Sequence, residues 1–562
     1  SSTTIYARLK SGLSPDSYSG DITISSTGAS SQTISLSGTI TSPHTNIYVD
    51  DSGNDDSNNG LSEAAPFATL AKAITTAGDG TGVTINIGAG TYTEHSLSLS
   101  KSNITIKGAG SSSTFFTSNT TNTGFMSITG DDIKISDMKI SNYNFTSASS
   151  SSNAYGGGVF RIGAAYGSTS ASASTSVNGL SLSNIIFYQN KTEASSGDGG
   201  ALAFVTNTTG TAQTATITNC TFDGNIAGDY SAAINTGHRG GAINLKDGND
   251  IIITNSLFFD NRSMGYAGAI GAGEYYGGGF PNLTIVNSVI YRNRYHYDTS
   301  SNGGIWLADA NLYLYNSFVN YNYFQDSNSV IKGDINGNSG SLYTIRSSFI
   351  TLFDESLMDS SDATTTDNEG VWPIFTDAGN DDFTLAYNSP AIGQASATFA
   401  PGTDINGVTR PQGSADDVGP YEYQNMWTGT NGTDWGTTSN WDQGYEPNAN
   451  TESPIIADVI NQPVISSDDG SSNDGNVTLN EITINSGAEL TINKDASLTL
   501  SGDFTNNSGT VTLNSDSSEF ASIIVQGSSA GDITYNRHVN SLSGGSGWDL
   551  VCLLYTSDAA DD

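Results

Sequence analysis

The amino-acid sequence predicts an all-β protein whose central part, residues 45–425, winds as a parallel β-helix solenoid. The chain has 64 Gly among 562 residues and abundant Ser, Thr and Asn, which is the composition of short strands joined by tight turns. An eleven-residue motif recurs five times, and several copies precede a Gly pair and a further apolar strand. Each repeat therefore supplies three short strands separated by corners, which is one turn of a parallel β-helix.

The motif consists of two apolar alternations that flank an Asn corner. Its copies are residues 180–190, 215–225, 251–261, 283–293 and 312–322. The corners are Asn184, Asn219, Asn255, Asn287 and Asn316, at spacings of 35, 36, 32 and 29 residues. Asn tolerates a left-handed backbone, and its amide can bond the equivalent Asn one turn away. We therefore expect these five residues to stack as an internal ladder while apolar side chains fill the bore.

Composition excludes several classes of protein. Asp and Glu number 56 against 19 Lys and Arg, for a net charge of -37, which repels phosphate backbones and argues against nucleic-acid binding. The sequence has no apolar run of membrane-spanning length. Cys220 and Cys552 lie far apart without CxxC spacing, so neither a disulfide framework nor a thiolate metal site is indicated. We expect Cys220 to be a small buried apolar residue.

The pattern changes along the chain and predicts four regions. Residues 1–42 alternate apolar and polar positions between Gly and Ser turns, which favours a fragment of an immunoglobulin-like sandwich. The solenoid follows over 45–425. Residues 426–551 contain short Leu/Ile-Thr strands and predict a second, smaller β-roll or sandwich. Residues 552–562 fit no preceding pattern and are interpreted as an unstructured tail of artefactual origin. Since no initiator Met or signal peptide is present, we interpret the chain as truncated at both ends.

Residues 65–74 are predicted to form a short amphipathic helix that presents Phe67, Leu70 and Ile74 on one face. A strand over 83–92 follows and ends in a Gly turn. This order resembles the N-terminal capping element of pectate-lyase-like β-helix proteins. The repeats resemble the right-handed β-helix of that superfamily and surface proteins with polymorphic outer-membrane-type repeats. The resemblance implies a right-handed parallel β-helix with a helix cap that covers its first turn.

Residues 381–423 resemble the C-terminal closing element of bacterial β-helix proteins described as having a choice of anchor. The motif ends at Tyr421 and Tyr423, after Arg410 and Pro411. Such proteins carry varied cell-surface anchors downstream, so the resemblance implies export and an extracellular or bacterial cell-surface location. We expect Pro411 and the two tyrosines to seal the last turn against edge pairing.

Basic and acidic residues concentrate on the later repeats. The catalytic candidates are His238, Arg239, Asp247, Arg262, Arg292, Arg294 and His296. Lyases on this fold remove a proton next to a uronate carboxylate that Arg or Ca²⁺ neutralises, and hydrolases on it use clustered Asp residues. Solvated charges on turns explain the same residues without catalysis, and this is the favoured interpretation.

Two further sets of residues are candidates for ligand binding. The sugar-stacking candidates are Tyr275, Tyr276, Tyr295, Tyr297 and Trp306, although packing between turns explains these aromatic residues equally well. Asp55, Ser57 and Asn59 have EF-hand-like offsets, but Pro66 stands where the bidentate Glu should fall. A loop that satisfies its own backbone is the favoured interpretation, with Ca²⁺ as the alternative and no other cofactor expected.

The favoured function is that of a secreted or cell-surface β-helix protein without catalytic activity, either an adhesin or a glycan-binding or structural stalk. Its partner would be a polysaccharide or a cell-surface glycan, and we expect a monomer. The alternative is a polysaccharide lyase or glycoside hydrolase that acts on an acidic polysaccharide. An enzyme requires acidic and basic groups close together in one groove, whereas a stalk scatters them along the solenoid.

Overall fold

The computed structural model of the chain divides into two compact units. Unit 1 contains residues 1–251, 262–265 and 273–281, and unit 2 contains 252–261, 266–272 and 282–562. The structure describes residues 16–25, 27–28, 30–40, 45–80, 82–118, 120, 123–146, 156–164, 176–193, 197–205, 213–228, 238–273, 279–296, 303–324, 334–337, 340–350, 374–387, 389–413, 415–467 and 475–538. None of the helices in these segments is long and apolar enough to cross a membrane.

The N-terminal strands of unit 1 form an antiparallel hairpin. Strand β1 (Asp16–Ile24) pairs with β2 (Gln32–Ile40) along its whole length. Ile24 and Ile34 are 47% and 50% exposed, so the hairpin carries apolar side chains that are only half covered. The alternation predicted over residues 1–42 thus produces strands, and their membership of an immunoglobulin-like sandwich stays a prediction.

The capping helix is shorter than the sequence predicts. Helix α1 spans Leu70–Thr76 and buries Leu70, Ala73 and Ile74. It begins at residue 70 because the Asp55 carboxylate accepts hydrogen bonds from the backbone N–H groups of Ala68 and Thr69, at 2.8 and 3.1 Å. The preceding segment is instead extended, and Phe67 bridges to the first solenoid strand and is buried.

The central region consists of short strands. Through residue 205 they are β3 (Asn46–Val49), β4 (Val83–Ile87), β5 (Gly90–Tyr92), β6 (Leu97–Leu99), β7 (Ile104–Lys107), β8 (Thr114–Thr117), β9 (Met126–Ile128), β10 (Lys134–Ser141), β11 (Asn144–Phe145), β12 (Phe160–Ile162), β13 (Leu180–Tyr188), β14 (Lys191–Thr192) and β15 (Leu202–Phe204). From residue 213 to 350 they are β16 (Thr214–Thr218), β17 (Thr221–Asp223), β18 (Ile226–Ala227), β19 (Ile243–Lys246), β20 (Asp250–Thr254), β21 (Leu257–Phe259), β22 (Arg262–Ser263), β23 (Ile270–Gly273), β24 (Asn282–Val286), β25 (Val289–Tyr291), β26 (Arg294–Tyr295), β27 (Ile305–Ala308), β28 (Asn311–Tyr315), β29 (Phe318–Asn320), β30 (Tyr323–Phe324), β31 (Ile335–Gly337), β32 (Leu342–Arg346) and β33 (Phe349–Ile350).

In unit 1 these strands form three parallel sheets. Sheet 1 contains the strands on both sides of the Asn corner, sheet 2 contains β11, β14, β18 and β22, and sheet 3 contains β6, β9, β12, β15 and β19. Equivalent residues of successive turns lie opposite one another, as Leu182 and Ile217 do in sheet 1 and Phe160 and Leu202 do in sheet 3. The predicted all-β fold, a right-handed parallel β-helix with an N-terminal helix cap, is confirmed.

Aromatic side chains stack through the bore of unit 1. The ring centroids of successive partners lie 4.6 to 5.9 Å apart along Tyr92, Phe116, Phe125, Phe160, Phe187 and Phe222. All of these rings are buried, so they supply much of the apolar area that holds the turns together. Cys220 is fully buried, as predicted, and burial raises the pKa of its thiol to about 12.

The predicted corner residues form what we call the outer column. All five have left-handed backbones, with φ of 54° at Asn184, 54° at Asn219, 48° at Asn255, 45° at Asn287 and 50° at Asn316. In unit 1 the column is not internal, because Asn184 is exposed and its amide donates to Asp137 Oδ1 at 2.9 Å. In unit 2, Asn316 donates to Asn287 Oδ1 at 3.1 Å and both residues are fully buried.

A second Asn, at the end of each repeat, forms the ladder inside the solenoid. This inner column contains Asn190 and Asn225 in unit 1 and Asn261, Asn293 and Asn322 in unit 2, all fully buried. Each amide donates to the side-chain oxygen of the next residue in the column within its unit, at 2.9 to 3.0 Å. Because these side chains are fully buried, their amides pair with one another away from water.

Unit 2 contains parallel sheets of the same kind and is covered on one side. Its sheet 1 contains β21, β24, β25, β28, β29, β32 and β33, its sheet 2 contains β26 and β30, and its sheet 3 contains β27 and β31. The segment 374–425, which we call the cap, begins with antiparallel strands β34 (Phe375–Asp377) and β35 (Asp382–Leu385), joined by a 3-10 helix at Ala378–Asn380.

The cap packs along sheet 1. Its residues Phe383 and Val418 pack against Val289 and Phe318 of the sheet, and all four are buried. Backbone carbonyls of the cap accept from the outer column as well, since Asn287 Nδ2 donates to Asp417 O and Gly419 O at 3.1 and 2.9 Å. The cap therefore covers the flank of the solenoid in unit 2, where its apolar residues pack against an apolar strand face.

The C-terminal module is a second, narrower parallel β-helix. Its strands are β36 (Met426–Trp427), β37 (Ile455–Ile456), β38 (Val464–Ile465), β39 (Asn476–Leu479), β40 (Ile482–Ile484), β41 (Glu489–Ile492), β42 (Ser497–Leu500), β43 (Phe504–Asn506), β44 (Thr510–Asn514), β45 (Ser522–Val525), β46 (Ser529–Ala530) and β47 (Thr534–Asn536), with a 3-10 helix at Thr438–Asn440. They form three parallel sheets. The expectation of a β-roll or sandwich is corrected, because the eight-residue spacing marks three strands in each short turn. Trp427, Trp435 and Trp441 pack together in its core.

Candidate functional site

Polar and charged side chains lie on the outward face of sheet 3 in unit 1. Strand alternation turns Phe160, Leu202 and Ile243 inward, so Arg161 and Asn244, which are in register with Ala203, face outward. The outward face is nevertheless buried here. Arg161 is 1% exposed and Asn244 0%, so this part of the sheet holds polar groups away from water.

The centre of this face is an ion pair on β19. Lys246 Nζ lies 2.6 Å from Asp198 Oδ2, and the two side chains are 4% and 2% exposed. Burial lowers the pKa of the Lys246 amine, while the Asp198 carboxylate raises it and the nearby Arg239 guanidinium lowers it further. Asp247 follows directly, is 1% exposed and also favours the charged amine. The amine thus loses its proton more easily than an ordinary lysine does.

Asn244 is the polar residue of this face whose bonding capacity is unused. Among the residues that the structure describes, neither its Nδ2 nor its Oδ1 has a hydrogen-bond partner. A buried amide without partners costs about 1–3 kcal/mol, so such a group is unusual in a structural position. It can donate one hydrogen bond and accept another from a bound molecule.

His238 and Arg239 enter the same region from the turn before β19. His238 is 4% exposed, and its Nδ1 lies 2.8 Å from Gly197 O, next to Asp198 in sequence. The imidazole therefore fixes the segment that carries the carboxylate partner of Lys246. Arg239 is half-buried and close enough to Lys246 to influence its pKa. We call Asp198, Arg239, Asn244, Lys246 and Asp247 the lysine site.

The remaining basic candidates lie elsewhere. Arg262 is on sheet 2 of unit 1, in register with Ile226. In unit 2, Arg292 pairs with Asp260 at 2.9 Å and with Asp381, and donates to Ala378 O at 2.7 Å, so it ties the cap to the solenoid. Arg294 and His296 are on or just after β26, and the Arg294 guanidinium carbon lies 4.9 Å from the ring centroid of Tyr323.

The structure thus separates the predicted catalytic residues. They were grouped because they are near one another in sequence, but they belong to different turns and sheets. The structure keeps His238, Arg239 and Asp247 together and adds Asp198, Asn244 and Lys246, which the sequence argument missed. Lys246 could have been found from the alternation Ile-Asn-Leu-Lys in β19, which places Asn244 and Lys246 on the same face. Asp198 gave no comparable signal, since it precedes the Gly pair in a turn.

The aromatic candidates take different positions. Tyr295 is 1% exposed and belongs to the core, so it cannot stack a sugar. Trp306 lies on the outward face of sheet 3 in unit 2, where its ring stacks on Tyr266 with centroids 4.6 Å apart. Tyr275, Tyr276 and Tyr297 lie outside the described residues.

The loop with EF-hand-like offsets uses its oxygen atoms internally. Asp55 Oδ1 accepts from two backbone N–H groups, and Thr69 Oγ1 donates to Asp55 Oδ2 at 2.6 Å. Asn59 Oδ1 accepts from Leu61 N at 3.0 Å, and the Ser57 N–H bonds Asn54. This geometry fits the loop that satisfies its own backbone. Within the described segments, no group of three or more His, Cys, Asp or Glu residues is placed to hold a metal ion.

Comparison with known proteins gives a family match for the module alone. A family described as a domain of unknown function, DUF8693, matches residues 426–545. No curated protein matches the chain in sequence. Among solved structures, pectin methylesterase from Erwinia chrysanthemi is 12% identical, with 52% of this chain and 92% of that chain covered and a TM-score of 0.24.

Two other solved structures are similar at the same level. The catalytic domain of a GH87 alpha-1,3-glucanase in complex with tetrasaccharides is 15% identical over 56% of this chain and 62% of that one, with a TM-score of 0.26. The A-module of a mannuronan C-5 epimerase from Azotobacter vinelandii is 11% identical over 86% and 98%, with a TM-score of 0.25. Similarity this low carries no argument about chemistry, which has to come from the site itself.

Proposed function

We propose that this protein acts on an acidic polysaccharide and cleaves it by β-elimination at the lysine site. The observation that carries the proposal is the buried Lys246 on the outward face of sheet 3, paired with Asp198 and close to Arg239. A lysine whose pKa is lowered by burial is suited to act as a general base. The alternative function set out from the sequence is therefore preferred to the non-catalytic one.

The chemistry assigns one role to each side chain. Lys246 removes the proton from the uronate carbon next to the carboxylate, and the electron pair forms the new double bond as the bond to the leaving glycosidic oxygen breaks. The leaving oxygen takes a proton from water, and the Asp247 carboxylate favours the protonated amine that forms on Lys246. Arg239 neutralises the substrate carboxylate, and the unused amide of Asn244 holds a sugar hydroxyl. Asp198 positions the amine through the 2.6 Å contact.

Elimination products give a direct assay. We expect incubation with polygalacturonate, alginate or chondroitin, with and without Ca²⁺, to generate the ultraviolet absorbance of unsaturated uronate ends on one of the three. Lys246→Gln should lower the rate by about 100-fold or more, since it removes the base. Lys134→Gln is the matched control, because Lys134 is an exposed lysine of sheet 1 in the same unit.

The assay also has a clear negative. If the wild-type chain produces no unsaturated ends from any of the three polymers, the elimination proposal is wrong. Because the ion pair is buried, Lys246→Gln must be shown by circular dichroism to keep the wild-type fold before its rate is interpreted. An extracellular or cell-surface location belongs to the same proposal, since polymers of this size are met outside the cell.

A non-catalytic glycan-binding stalk is the second candidate, and the stacked pair of Trp306 and Tyr266 favours it. Trp306 is only 9% exposed, so the half-buried Tyr266 ring that stacks on it offers the aromatic face that a sugar could contact. Retention on a glycan array without elimination products, abolished by Trp306→Ala, would support this candidate. Absence of both signals would leave a purely structural spacer.

A further inference from the structure

A groove of about 900 Å³ lies where the cap meets the first strands of the C-terminal module. We call it the cap groove. Its walls come from the cap strand that ends at Leu385, from residues 421–426 and from the 3-10 helix before Trp441. Its volume is within the range of roughly 300–1,000 Å³ that is usual for small-ligand sites. The groove belongs wholly to unit 2 and shares no residue with the lysine site.

Aromatic rings line the cap groove and one of them is strongly exposed. Tyr387 is 68% exposed, while Tyr421 and Tyr423 are half-buried. Trp441 and Met426 complete the apolar lining. The three tyrosines thus contribute aromatic side chains to one groove, and aromatic faces stack well against the faces of sugar rings.

Hydroxyl groups occupy the rim of the groove. Thr376 and Thr384 are joined through their Oγ1 atoms at 2.9 Å, and Thr428 and Thr430 are joined in the same way at 2.9 Å. Thr384 Oγ1 also bonds Asp382 Oδ1 at 2.6 Å, and Thr428 Oγ1 also donates to Asn440 O at 3.0 Å. A threonine hydroxyl donates one hydrogen bond and accepts two, so the capacity that remains in each pair is to accept. The rim is therefore suited to bond the hydroxyl groups of a sugar.

The charges of the groove exclude an anionic ligand. The lining residues that the structure describes include Asp404, Glu422 and Asp442 but no Lys, Arg or His. A uronate or sulfate would therefore be repelled without any compensating cation.

The carboxylates are also unsuited to hold a cation, because their oxygens already have partners. Asp404 accepts from the backbone N–H groups of Asn406, Val408 and Glu422. Glu422 pairs with Arg410 at 2.5 Å, and Asp442 accepts from Met426 N at 2.9 Å. Apolar rings, threonine hydroxyls that can still accept hydrogen bonds and the lack of an available charge together indicate a neutral ligand.

We propose that the cap groove binds a neutral oligosaccharide, as a second carbohydrate site that is independent of the lysine site. The inference goes beyond the proposed elimination reaction, in which the substrate is acidic. A protein with both sites can hold a neutral matrix glycan through unit 2 while it acts on an acidic polymer through unit 1.

Calorimetric titration of the full chain with cellohexaose, laminarihexaose and xylohexaose tests the proposal. We expect saturable binding of at least one of them with one site per chain. Tyr387→Ala should weaken that binding by about tenfold, because it removes the exposed ring. Phe520→Ala is the matched control, since Phe520 is also 68% exposed and lies outside the cap groove, and it should leave the affinity unchanged.

Two comparisons make the outcome decisive. Lys246→Gln should bind the neutral hexasaccharide as the wild type does, so loss of elimination activity and loss of neutral binding are separable results. The proposal is overturned if none of the three neutral probes binds, if only a galacturonate or glucosamine hexamer binds, or if Phe520→Ala weakens binding as much as Tyr387→Ala.

Discussion

The outer and inner Asn columns use one residue type in the same repeats for two different physical purposes. At an outer position such as Asn184 the backbone is left-handed and the side chain is exposed, so Asn serves mainly because it accepts that conformation. At an inner position such as Asn293 the amide is fully buried and pairs with neighbouring turns. The comparison teaches that a repeated residue marks a repeated position, and that burial decides which property of the residue matters.

The largest effect is expected at the inner column. Asn293 Nδ2 donates to Asn322 Oδ1 and Phe258 O at 2.9 Å, and its own Oδ1 accepts from Asn261 at 2.9 Å. Asn293→Ala should lower the free energy of unfolding by about 3 kcal/mol, because it leaves buried partners unsatisfied. Denaturant unfolding measures the change. A loss below about 0.5 kcal/mol would show that the inner column is dispensable and would remove the contrast between the columns.

A smaller effect is expected where the outer column is covered. Asn287 is fully buried beneath the cap and donates to Asp417 O and Gly419 O. Asn287→Gly keeps the left-handed backbone and removes only the amide, so it should cost about 1–2 kcal/mol in the same unfolding experiment. If this substitution lowers the free energy of unfolding as much as Asn293→Ala does, then burial beneath the cap, and not position in the inner column, determines how much an Asn contributes to stability.

The cap that covers Asn287 should itself respond to pH. Burial and mutual repulsion raise the pKa of Glu422 to about 8, and burial raises that of Asp417 to about 6, although Arg410 lowers both. The folded state therefore holds protons that the unfolded chain releases near pH 4. This contribution to stability is complete below that pH and is lost as pH rises through 6 and then 8.

Thermal unfolding followed from pH 5 to 9 measures this loss. The expected result is a fall in the unfolding temperature of the wild type that is shallower in Glu422→Gln, which cannot ionise. The cost of Asn287→Gly should also shrink at high pH, because a weakened cap covers Asn287 less well. Equal pH slopes for the wild type and Glu422→Gln would contradict the assignment.

The repeat and its corners could be predicted because both are local properties of the sequence. Asn at the same place in successive copies predicts a corner, and Asn219 and Asn316 both have the left-handed backbone that the argument required. The predicted ladder holds for Asn287 and Asn316, which pair while fully buried, but not for the exposed Asn184. Alternation gives two faces, and the sequence alone does not say at which repeat a corner side chain is buried. The tertiary packing of each turn determines which Asn side chain is buried and paired.

The lysine site and the cap groove depend on contacts between distant segments. Asp198 and Lys246 are 48 residues apart and meet because two turns of irregular length stack in register. Tyr387 lines the cap groove because the cap packs along the flank of the solenoid. The sequence motif of residues 381–423 did not predict this packing. Because the lengths of the turns between strands vary, contacts between residues of different turns cannot be predicted from their spacing in the sequence.

The smallest effect is expected at Asn184, and it is the sharpest test of the comparison. Asn184→Gly preserves the φ of 54° and removes only an exposed hydrogen bond to Asp137, so the unfolding free energy should change by no more than about 0.5 kcal/mol. Asn184→Val should cost about 1–3 kcal/mol, because a β-branched residue is strained in the left-handed region. If Asn184→Gly leaves the unfolding free energy unchanged and Asn184→Val lowers it, the outer corner requires a residue that accepts the left-handed backbone. Equal losses for the two variants would instead mean that the amide matters at both columns.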